Sequence, residues 1–158
     1  MNEEYAILES DLAPDMLELY EAACAVREYA YAPYSGFRVG AALRTEDGRL
    51  YTGVNVENAS FPVTICAERG ALMKAVADGA RKFSSMAVVT DAAEPAAPCG
   101  MCRQMLVEFG LDLQVLTAGR GGPSALLPLT ELLPLAFVRS SFELRSLVMP
   151  ALTKQTDR

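Results

Sequence analysis

The stretch that decides the fold runs from residue 66 to residue 118 and reads CAERGALMKAVADGARKFSSMAVVTDAAEPAAPCGMCRQMLVEFGLDLQVLTA. Apolar residues recur at helical spacing in two parts of it, and each part is followed by a short apolar run that is typical of a strand. The predicted order is helix 66–77, strand 86–90, helix 100–109 and strand 113–118. Helices that alternate with strands in this way predict an α/β fold.

Shorter elements flank this stretch on both sides. They are helix 15–30, strands 37–45 and 50–56 around a turn at 46–48, strand 124–127 and a brief helix 130–133. Together the elements predict a three-layer α/β/α architecture with a mixed five-stranded sheet, in one domain over residues 1–158. Its core is expected over about residues 14–137. Residues 138–158 form an extension with no assigned role, in which a helix is expected near 142–147.

The composition favours a soluble globular chain with a small-molecule partner. Apolar residues make up 51% and charged residues 22%, the net charge is -6, and no dense run of Lys and Arg occurs. Because binding to nucleic acid needs cationic contacts with phosphates, we expect no nucleic-acid partner. Residues 1–10 lack a basic segment followed by an apolar run, and no apolar stretch has the length of a membrane span. We therefore expect a cytoplasmic protein with reduced thiols and no membrane contact.

The chain contains no histidine. This excludes Ser-His-Asp triads, Cys-His pairs and every metal site that uses an imidazole ligand. Any general acid or base must therefore be Asp, Glu, Lys, Tyr or Cys.

Three cysteines are placed at predicted helix starts. Cys66 begins one helix, and Cys99 and Cys102 lie around the first turn of another, with the spacing at which two residues share a helix face. Thiolates select a soft metal such as Zn²⁺, and three protein ligands leave its fourth position open. Glu68 stands two residues from Cys66 and is not needed as a ligand. This combination favours a hydrolytic zinc site with Glu68 as its proton carrier.

Each fragment of this pattern also has a structural interpretation. A Cys-x-x-Cys pair alone is equally typical of a structural zinc or a redox pair, and Glu68 alone is typical of a solvated helix face. The fourth cysteine, Cys24, is expected to be a small buried residue of the first helix. Three thiolates carry more negative charge than Zn²⁺ offsets, which calls for a nearby cation. Arg69 and Arg103 each directly follow a motif residue and are the candidates.

The two motifs match a known signature. Cys-Ala-Glu at 66–68 and Pro-Cys-x-x-Cys at 98–102 form the signature of the zinc deaminases, in the variant with Cys in place of His. The chain resembles the small cytidine deaminases from its first helix to Phe137. The further segments that carry this resemblance are 31–37, 39–43, 53–59, 65–69, 98–104 and 131–137.

The resemblance implies zinc-dependent hydrolytic deamination of cytidine and deoxycytidine to uridine and deoxyuridine, with release of ammonia, in pyrimidine salvage. It implies that Cys66, Cys99 and Cys102 bind Zn²⁺. It also implies that Glu68 carries protons from water to N3 of the base and to the departing ammonia. Arg69 resembles the residue that offsets the thiolate charge.

Substrate contacts are implied by the same resemblance. Asn55 and Glu57 would hold the ribose hydroxyls, Phe37 would pack against the base, and the Ala67 N–H would bind the carbonyl at position 2. Residues two apart on a strand face the same side, which agrees with the pairing of Asn55 and Glu57. Phe137 resembles an aromatic residue that reaches into a neighbouring subunit's site, in a homotetramer with shared active sites.

One departure from the family pattern keeps the substrate open. Many relatives carry Tyr where this chain has Phe61, so a hydroxyl is missing. A deaminase of a modified cytosine nucleoside or of a blasticidin-type antibiotic is therefore an alternative, as is a zinc-stabilised binding module without turnover. An editing enzyme on polynucleotide is disfavoured, because the short turn at 119–123 permits only an antiparallel pair of strands, whereas editing relatives have a helix there.

Overall fold

A mixed five-stranded sheet forms the centre of the computed structural model, which describes residues 5–141 apart from the side chain of Ser124. Its strands are β1 (Val39–Thr45), β2 (Leu50–Val54), β3 (Phe83–Thr90), β4 (Gln114–Gly119) and β5 (Gly122–Pro128). Their order in the sheet is β2-β1-β3-β4-β5. The β3–β4 pair is parallel and the other three pairs are antiparallel. The predicted mixed sheet and the antiparallel β4–β5 pair are confirmed.

Helices cover both faces of the sheet. They are α1 (Pro14–Arg27), α2 (Ala67–Ala77), α3 (Gly100–Val107) and α4 (Leu129–Leu132), with 3-10 turns at Glu9–Asp11 and Phe61–Val63. Helix α1 packs with Ala42, Ala87 and Leu116 on one face, whereas α2, α3 and α4 pack with Leu43, Met86 and Val115 on the other. The predicted three layers are confirmed. The longest helix has 14 residues, and none in the described part is long and apolar enough to cross a bilayer.

Two glycines let the helices approach the sheet closely. A Cβ added at Gly53 of β2 would lie 2.3 Å from the Ala71 nitrogen of α2. A Cβ added at Gly40 of β1 would lie 2.2 Å from the Ala23 carbonyl oxygen of α1. Any side chain at these two positions would displace a helix, so glycine fixes the distance of α1 and α2 from the strands.

The order of the elements brings two helix starts to one edge of the sheet. A short connection joins the end of α2 to β3, so the two run in opposite directions and α2 begins near the end of β3. The chain leaves β3 at Thr90 and enters α3 at Gly100. Crevices at the carboxyl ends of parallel strands are where α/β sheets bind ligands. The cysteine motifs therefore meet at the edge where the fold favours a site.

Several predicted boundaries differ from those observed. Strand β3 begins at Phe83 and not at residue 86, since Ser85 and Phe83 continue the pairing with Arg44 and Thr45 across a bulge. The two serines hid this extension from a pattern based on apolar residues. Strand β5 begins at Gly122 and not at residue 124, and α1 ends at Arg27 and not at residue 30. The helix expected near 142–147 lies outside the described residues.

Candidate functional site

Three cysteine sulfurs converge where the two helices begin. Cys66 immediately precedes α2, Cys99 immediately precedes α3, and Cys102 lies in the first turn of α3. The Sγ atoms of Cys66 and Cys99 are 3.9 Å apart, and those of Cys99 and Cys102 are 3.5 Å apart. All three lie within 4.8 Å of one another. Cys24 lies on α1 and is not part of this group.

The spacing of the sulfurs suits a tetrahedral zinc ion. A Zn–S distance of about 2.3 Å in tetrahedral geometry places two sulfurs about 3.8 Å apart. The observed distances of 3.5 and 3.9 Å bracket this value. An all-sulfur donor set selects a soft metal, and with three donors it forms an open site and not a closed structural one.

The three thiols share their protons unequally. The pKa of Cys66 is lowered to about 5, first by the Cys102 thiol and then by Arg69 and Cys99, against the effect of burial. The pKa of Cys102 is raised, first by its contact with Cys66 and then by its own burial. Cys66 is therefore the more acidic of these two thiols. Metal binding displaces the remaining protons and is therefore favoured as pH rises.

The cation beside the sulfurs is Arg69. Its Nη2 atom lies 3.7 Å from Cys66 Sγ and donates a hydrogen bond of 2.8 Å to the Thr64 carbonyl. Arg103 is directed elsewhere, because its Nε donates to the Pro98 carbonyl at 2.6 Å and its Nη1 to the Leu132 carbonyl at 2.5 Å. The charge argument from the sequence named both arginines and the resemblance favoured Arg69, which is the arginine that lies beside Cys66 Sγ.

Glu68 lies in the first turn of α2 and is only 5% exposed. Burial raises the pKa of its carboxyl group, and the adjacent Cys66 thiolate raises it further. A carboxyl group whose pKa is moved towards neutrality can both accept and release a proton at working pH. Glu68 therefore has the chemistry of a proton carrier beside the sulfur cluster.

A cavity of about 200 Å³ opens beside this cluster and contains Glu68 in its wall. Its lining combines the metal motifs with the ends of β2 and β3 and the loop after β3. The lining residues are Phe37, Val39, Asn55, Thr64, Cys66, Ala67, Glu68, Val88, Thr90, Ala96, Ala97 and Cys99. Three predicted site residues besides Glu68, namely Phe37, Asn55 and Ala67, thus share one cavity with two of the three cysteines.

Asn55 ties together the segment that carries Phe37. Its Oδ1 accepts from the Val39 N–H at 2.8 Å, and its Nδ2 donates to the Phe37 carbonyl at 2.8 Å. An amide carries two N–H donors, and its oxygen has two lone pairs. These two hydrogen bonds use one of each, so Asn55 can still donate one hydrogen bond to a ligand and accept one from it. The structure thus gives Asn55 a scaffolding role that the sequence did not predict.

Glu57 lies in an adjoining hollow of about 370 Å³, which shares Thr64 with the first cavity. Its carboxylate accepts from the Tyr34 N–H at 2.9 Å, from the Ser35 N–H at 3.1 Å, and from the Ser35 hydroxyl. These bonds, that of the Ser35 hydroxyl above all, lower the pKa of Glu57. An ionised, oriented acceptor at the mouth of the first cavity is suited to bind hydroxyl groups.

The two remaining aromatic candidates are exposed. Phe61 lies in the second hollow, is 69% exposed, and packs edge to face on Tyr34 with ring centroids 6.0 Å apart. Phe137 is 58% exposed and lines neither hollow, while its carbonyl accepts from Gln104 Nε2 at 2.7 Å. Within one chain, Phe137 is therefore not brought to the cavity.

Three residues of the site were not singled out from the sequence: Ser35, Thr64 and Thr90. Ser35 orients Glu57, and Thr64 lines both hollows and accepts the Arg69 hydrogen bond. Thr90 ends β3 inside the first cavity. Ser35 lies in a segment that carried the resemblance, which was the available signal. No local pattern marked the other two.

Known proteins with similar sequences include cytidine deaminases. The family model described as the cytidine and deoxycytidylate deaminase zinc-binding region matches residues 15–118. A cytidine deaminase of Sporosarcina psychrophila is 57% identical over 83 residues, which cover 52% of this chain and 61% of the relative. A cytidine deaminase of Halalkalibacterium halodurans is 45% identical over 124 residues, which cover 78% of this chain and 94% of the relative.

Solved structures show the same similarity. The crystal structure of cytidine deaminase from Burkholderia pseudomallei superposes with a TM-score of 0.73 at 50% sequence identity. The match covers 76% of this chain and 97% of that protein. The shared architecture therefore includes nearly all of the Burkholderia chain.

Proposed function

Because the chain belongs to the cytidine and deoxycytidylate deaminase family, we propose that it hydrolyses cytidine and deoxycytidine to uridine and deoxyuridine. One water molecule is consumed, the bond between C4 and the amino nitrogen breaks, and ammonia leaves. The observation that carries this proposal is the cavity that is lined by Glu68 together with Cys66 and Cys99, two of the three cysteines whose sulfurs converge.

Zinc fits the donor set formed by Cys66, Cys99 and Cys102, and when bound it supplies the Lewis acidity that lowers the pKa of water. Three thiolates reduce that acidity, since their combined charge exceeds that of Zn²⁺. Arg69 offsets part of this charge through its position beside Cys66 Sγ. It acts by withdrawing electron density from that sulfur, because a cation near a thiolate stabilises the negative charge on it.

Glu68 moves the protons of the reaction. Its carboxylate accepts a proton from the attacking water and delivers it to N3 of the base, which makes C4 more electrophilic. It then takes the second proton of the water from the hydroxyl group now on C4 and delivers it to the amino group, which leaves as ammonia while the C4 carbonyl forms. The raised pKa of this buried carboxyl supports both directions of transfer.

The remaining contacts orient the nucleoside. Glu57 and the free capacity of Asn55 hold the ribose hydroxyls, and Phe37 packs on the base. The Ala67 N–H, at the start of α2, binds the carbonyl at position 2, since the first N–H groups of a helix have no partner within the helix. The support for this arrangement is that Phe37, Asn55 and Ala67 line one cavity and Glu57 the adjoining hollow.

The experiment is a substrate panel with the purified chain, loaded with zinc and again after treatment with a chelator. It contains cytidine, deoxycytidine, free cytosine and a blasticidin-type compound, and it measures ammonia release. The proposal expects turnover of cytidine and deoxycytidine that depends on zinc. Turnover of the blasticidin-type compound alone would favour the modified-nucleoside alternative, and zinc binding without turnover of any compound would favour the binding module.

We also propose a homotetramer in which each site receives a residue from a neighbour. Phe137 is exposed and does not line its own cavity, and Phe61 and Leu135 add exposed apolar surface. Large exposed apolar side chains close to one another are typical of subunit interfaces. Light scattering on the purified protein distinguishes a tetramer from a monomer. A monomer with full activity would contradict the shared site.

A cytoplasmic role in pyrimidine salvage completes the proposal. Zinc binding by Cys66, Cys99 and Cys102 requires reduced thiols, which the cytoplasm maintains. Cells that lack their own cytidine deaminase and need an external pyrimidine should then grow on cytidine when they express this chain. Failure to grow, with the protein folded and active in extracts, would contradict the salvage role.

A further inference from the structure

The hydroxyl of Thr90 is a buried polar group without a partner inside the cavity. Thr90 is the last residue of β3, is 1% exposed, and lines the cavity together with Glu68. Its Oγ1 makes no hydrogen bond to any residue in the described part of the chain. Leaving a buried hydroxyl unpaired is unfavourable, and valine has the same shape without this cost.

The other fully buried threonines behave differently. Thr117 Oγ1 donates to the Ala125 carbonyl at 3.4 Å, and Thr45 Oγ1 donates to the Arg49 carbonyl at 3.1 Å. Both are as inaccessible as Thr90. The unpaired hydroxyl is therefore particular to the position that faces the cavity.

The backbone of Thr90 is held by contacts with two other segments. Thr90 pairs with Val39 in the antiparallel β1–β3 ladder. Its carbonyl accepts from Arg27 Nη1 at 3.3 Å, and Arg27 in turn lies 3.3 Å from the carboxylate of Asp91, the next residue. These contacts fix the backbone position from which the Thr90 hydroxyl would meet a ligand, and such preorganisation lowers the cost of binding.

The burial of Thr90 indicates which part of a bound nucleoside its hydroxyl would contact. Glu57 is partly exposed and lies in the outer hollow, whereas Glu68 and Thr90 are almost completely buried. A nucleoside with its ribose at Glu57 and its reacting carbon near Glu68 would place its base in the buried cavity that Glu68 and Thr90 both line. A hydroxyl both donates and accepts, so it can bond to an amino group of the substrate and to an oxygen of the product.

We propose that Thr90 is a base-binding residue whose Oγ1 forms a hydrogen bond with the polar edge of the bound pyrimidine ring. This inference rests on the proposed cytidine deamination. It adds a contact beyond those implied for Phe37, Asn55, Glu57 and Ala67.

The test compares Thr90→Val, Thr90→Ser and the control Thr117→Val, each loaded with zinc. It measures the KM for cytidine, the inhibition constant of uridine and the melting temperature. We expect Thr90→Val to raise both constants about 3- to 10-fold, the loss for one hydrogen bond, without a lower melting temperature. Thr90→Ser and Thr117→Val should keep the wild-type constants. If Thr90→Val does not fold, Thr90→Ala against Thr90→Ser makes the same comparison.

Three results would overturn the inference while wild-type turnover still supports the proposed function. The first is wild-type constants in the Thr90→Val protein. The second is an equal rise in the Thr90→Ser protein, because that variant keeps the hydroxyl and the hydrogen bond would then not account for the change. The third is a fall in kcat while the KM for cytidine and the inhibition constant of uridine are unchanged. The Thr90 hydroxyl would then act on Glu68 and would not bind the base. Failure of the wild-type protein to deaminate cytidine would instead remove the proposed function itself.

Discussion

Arg69 places its guanidinium Nη2 3.7 Å from the sulfur of Cys66, one turn earlier at the start of the same helix. The same Nη2 donates to the Thr64 carbonyl, which fixes its direction. The Cys102 thiol is the main cause that lowers the pKa of Cys66, and the positive charge of Arg69 lowers this pKa further by stabilising the thiolate. We therefore assign to Arg69 the role of offsetting the negative charge of the thiolates at the metal site.

The variant Arg69→Gln tests this assignment. It removes the charge while keeping a side chain that can donate to the Thr64 carbonyl. Residues that support metal ligands typically change activity about 10- to 100-fold, and we expect a loss of kcat in this range. Zinc content, measured by elemental analysis, should stay near that of the wild type.

The matched control is Arg81→Gln, beyond the other end of α2. Arg81 Nη1 donates to the carbonyls of Val76 and Ala80, far from the sulfurs. This variant should keep its kcat. An unchanged kcat in the zinc-loaded Arg69→Gln protein would show that the thiolate charge needs no offset.

The variant Asn55→Ala should lose both stability and substrate affinity. It leaves the Val39 N–H and the Phe37 carbonyl without their partner, and an unsatisfied buried group costs about 1–3 kcal/mol. Denaturant unfolding measures the stability, and the KM for cytidine measures the affinity. Asn58→Ala is the control, since the side chain of the exposed Asn58 accepts from the Ser60 N–H in its own loop. A higher KM with wild-type stability would mean that Asn55 serves the substrate alone.

The variant Gly53→Ala should destabilise the protein. The added Cβ would lie 2.3 Å from the Ala71 nitrogen, and relieving such an overlap costs about 1–3 kcal/mol or more. Thermal unfolding measures the effect. Gly121→Ala serves as control because a Cβ there meets nothing within 4 Å. Equal stability of the two variants would contradict the close contact between α2 and β2.

Alkaline pH should weaken the fold through Tyr20. Its pKa is raised from 10.0 to about 12, first by burial and then by the Cys24 thiol beside it. Between these values the folded protein keeps a proton that the unfolded chain has lost, so stability falls as pH rises through this range. Tyr20→Phe removes the titrating group and should make the decline shallower. Melting temperatures of both proteins from pH 9 to pH 12 give the comparison, and parallel curves would count against it.

Local sequence patterns predicted the element order and the grouping of the cysteines. Helical periodicity marks α2 and α3, and a cysteine at the start of each helix has a direction set by that helix. Local pattern did not separate Arg69 from Arg103, because both follow a motif residue and packing decides where each side chain goes; the resemblance favoured Arg69. The start of β3 was missed for a related reason, since its serines pair with β1 by a contact between distant segments.

The contacts around Glu57 mark the other limit of prediction. Its bonds to Tyr34 and Ser35 join segments more than 20 residues apart. No periodicity or spacing within either segment reports such a contact. The resemblance supplied Glu57 as a candidate, and the structure adds how the carboxylate is held.

Glu68 is proposed to move the protons of a zinc-dependent deamination. The most direct measurement is ammonia release from cytidine by Glu68→Gln with its zinc content determined in the same sample, beside the exposed control Glu108→Gln. We predict that Glu68→Gln keeps about one zinc per chain and loses activity roughly 100- to 10,000-fold. The Glu108→Gln control should keep its zinc and its rate of ammonia release. A zinc-loaded Glu68→Gln protein with wild-type turnover would contradict the account.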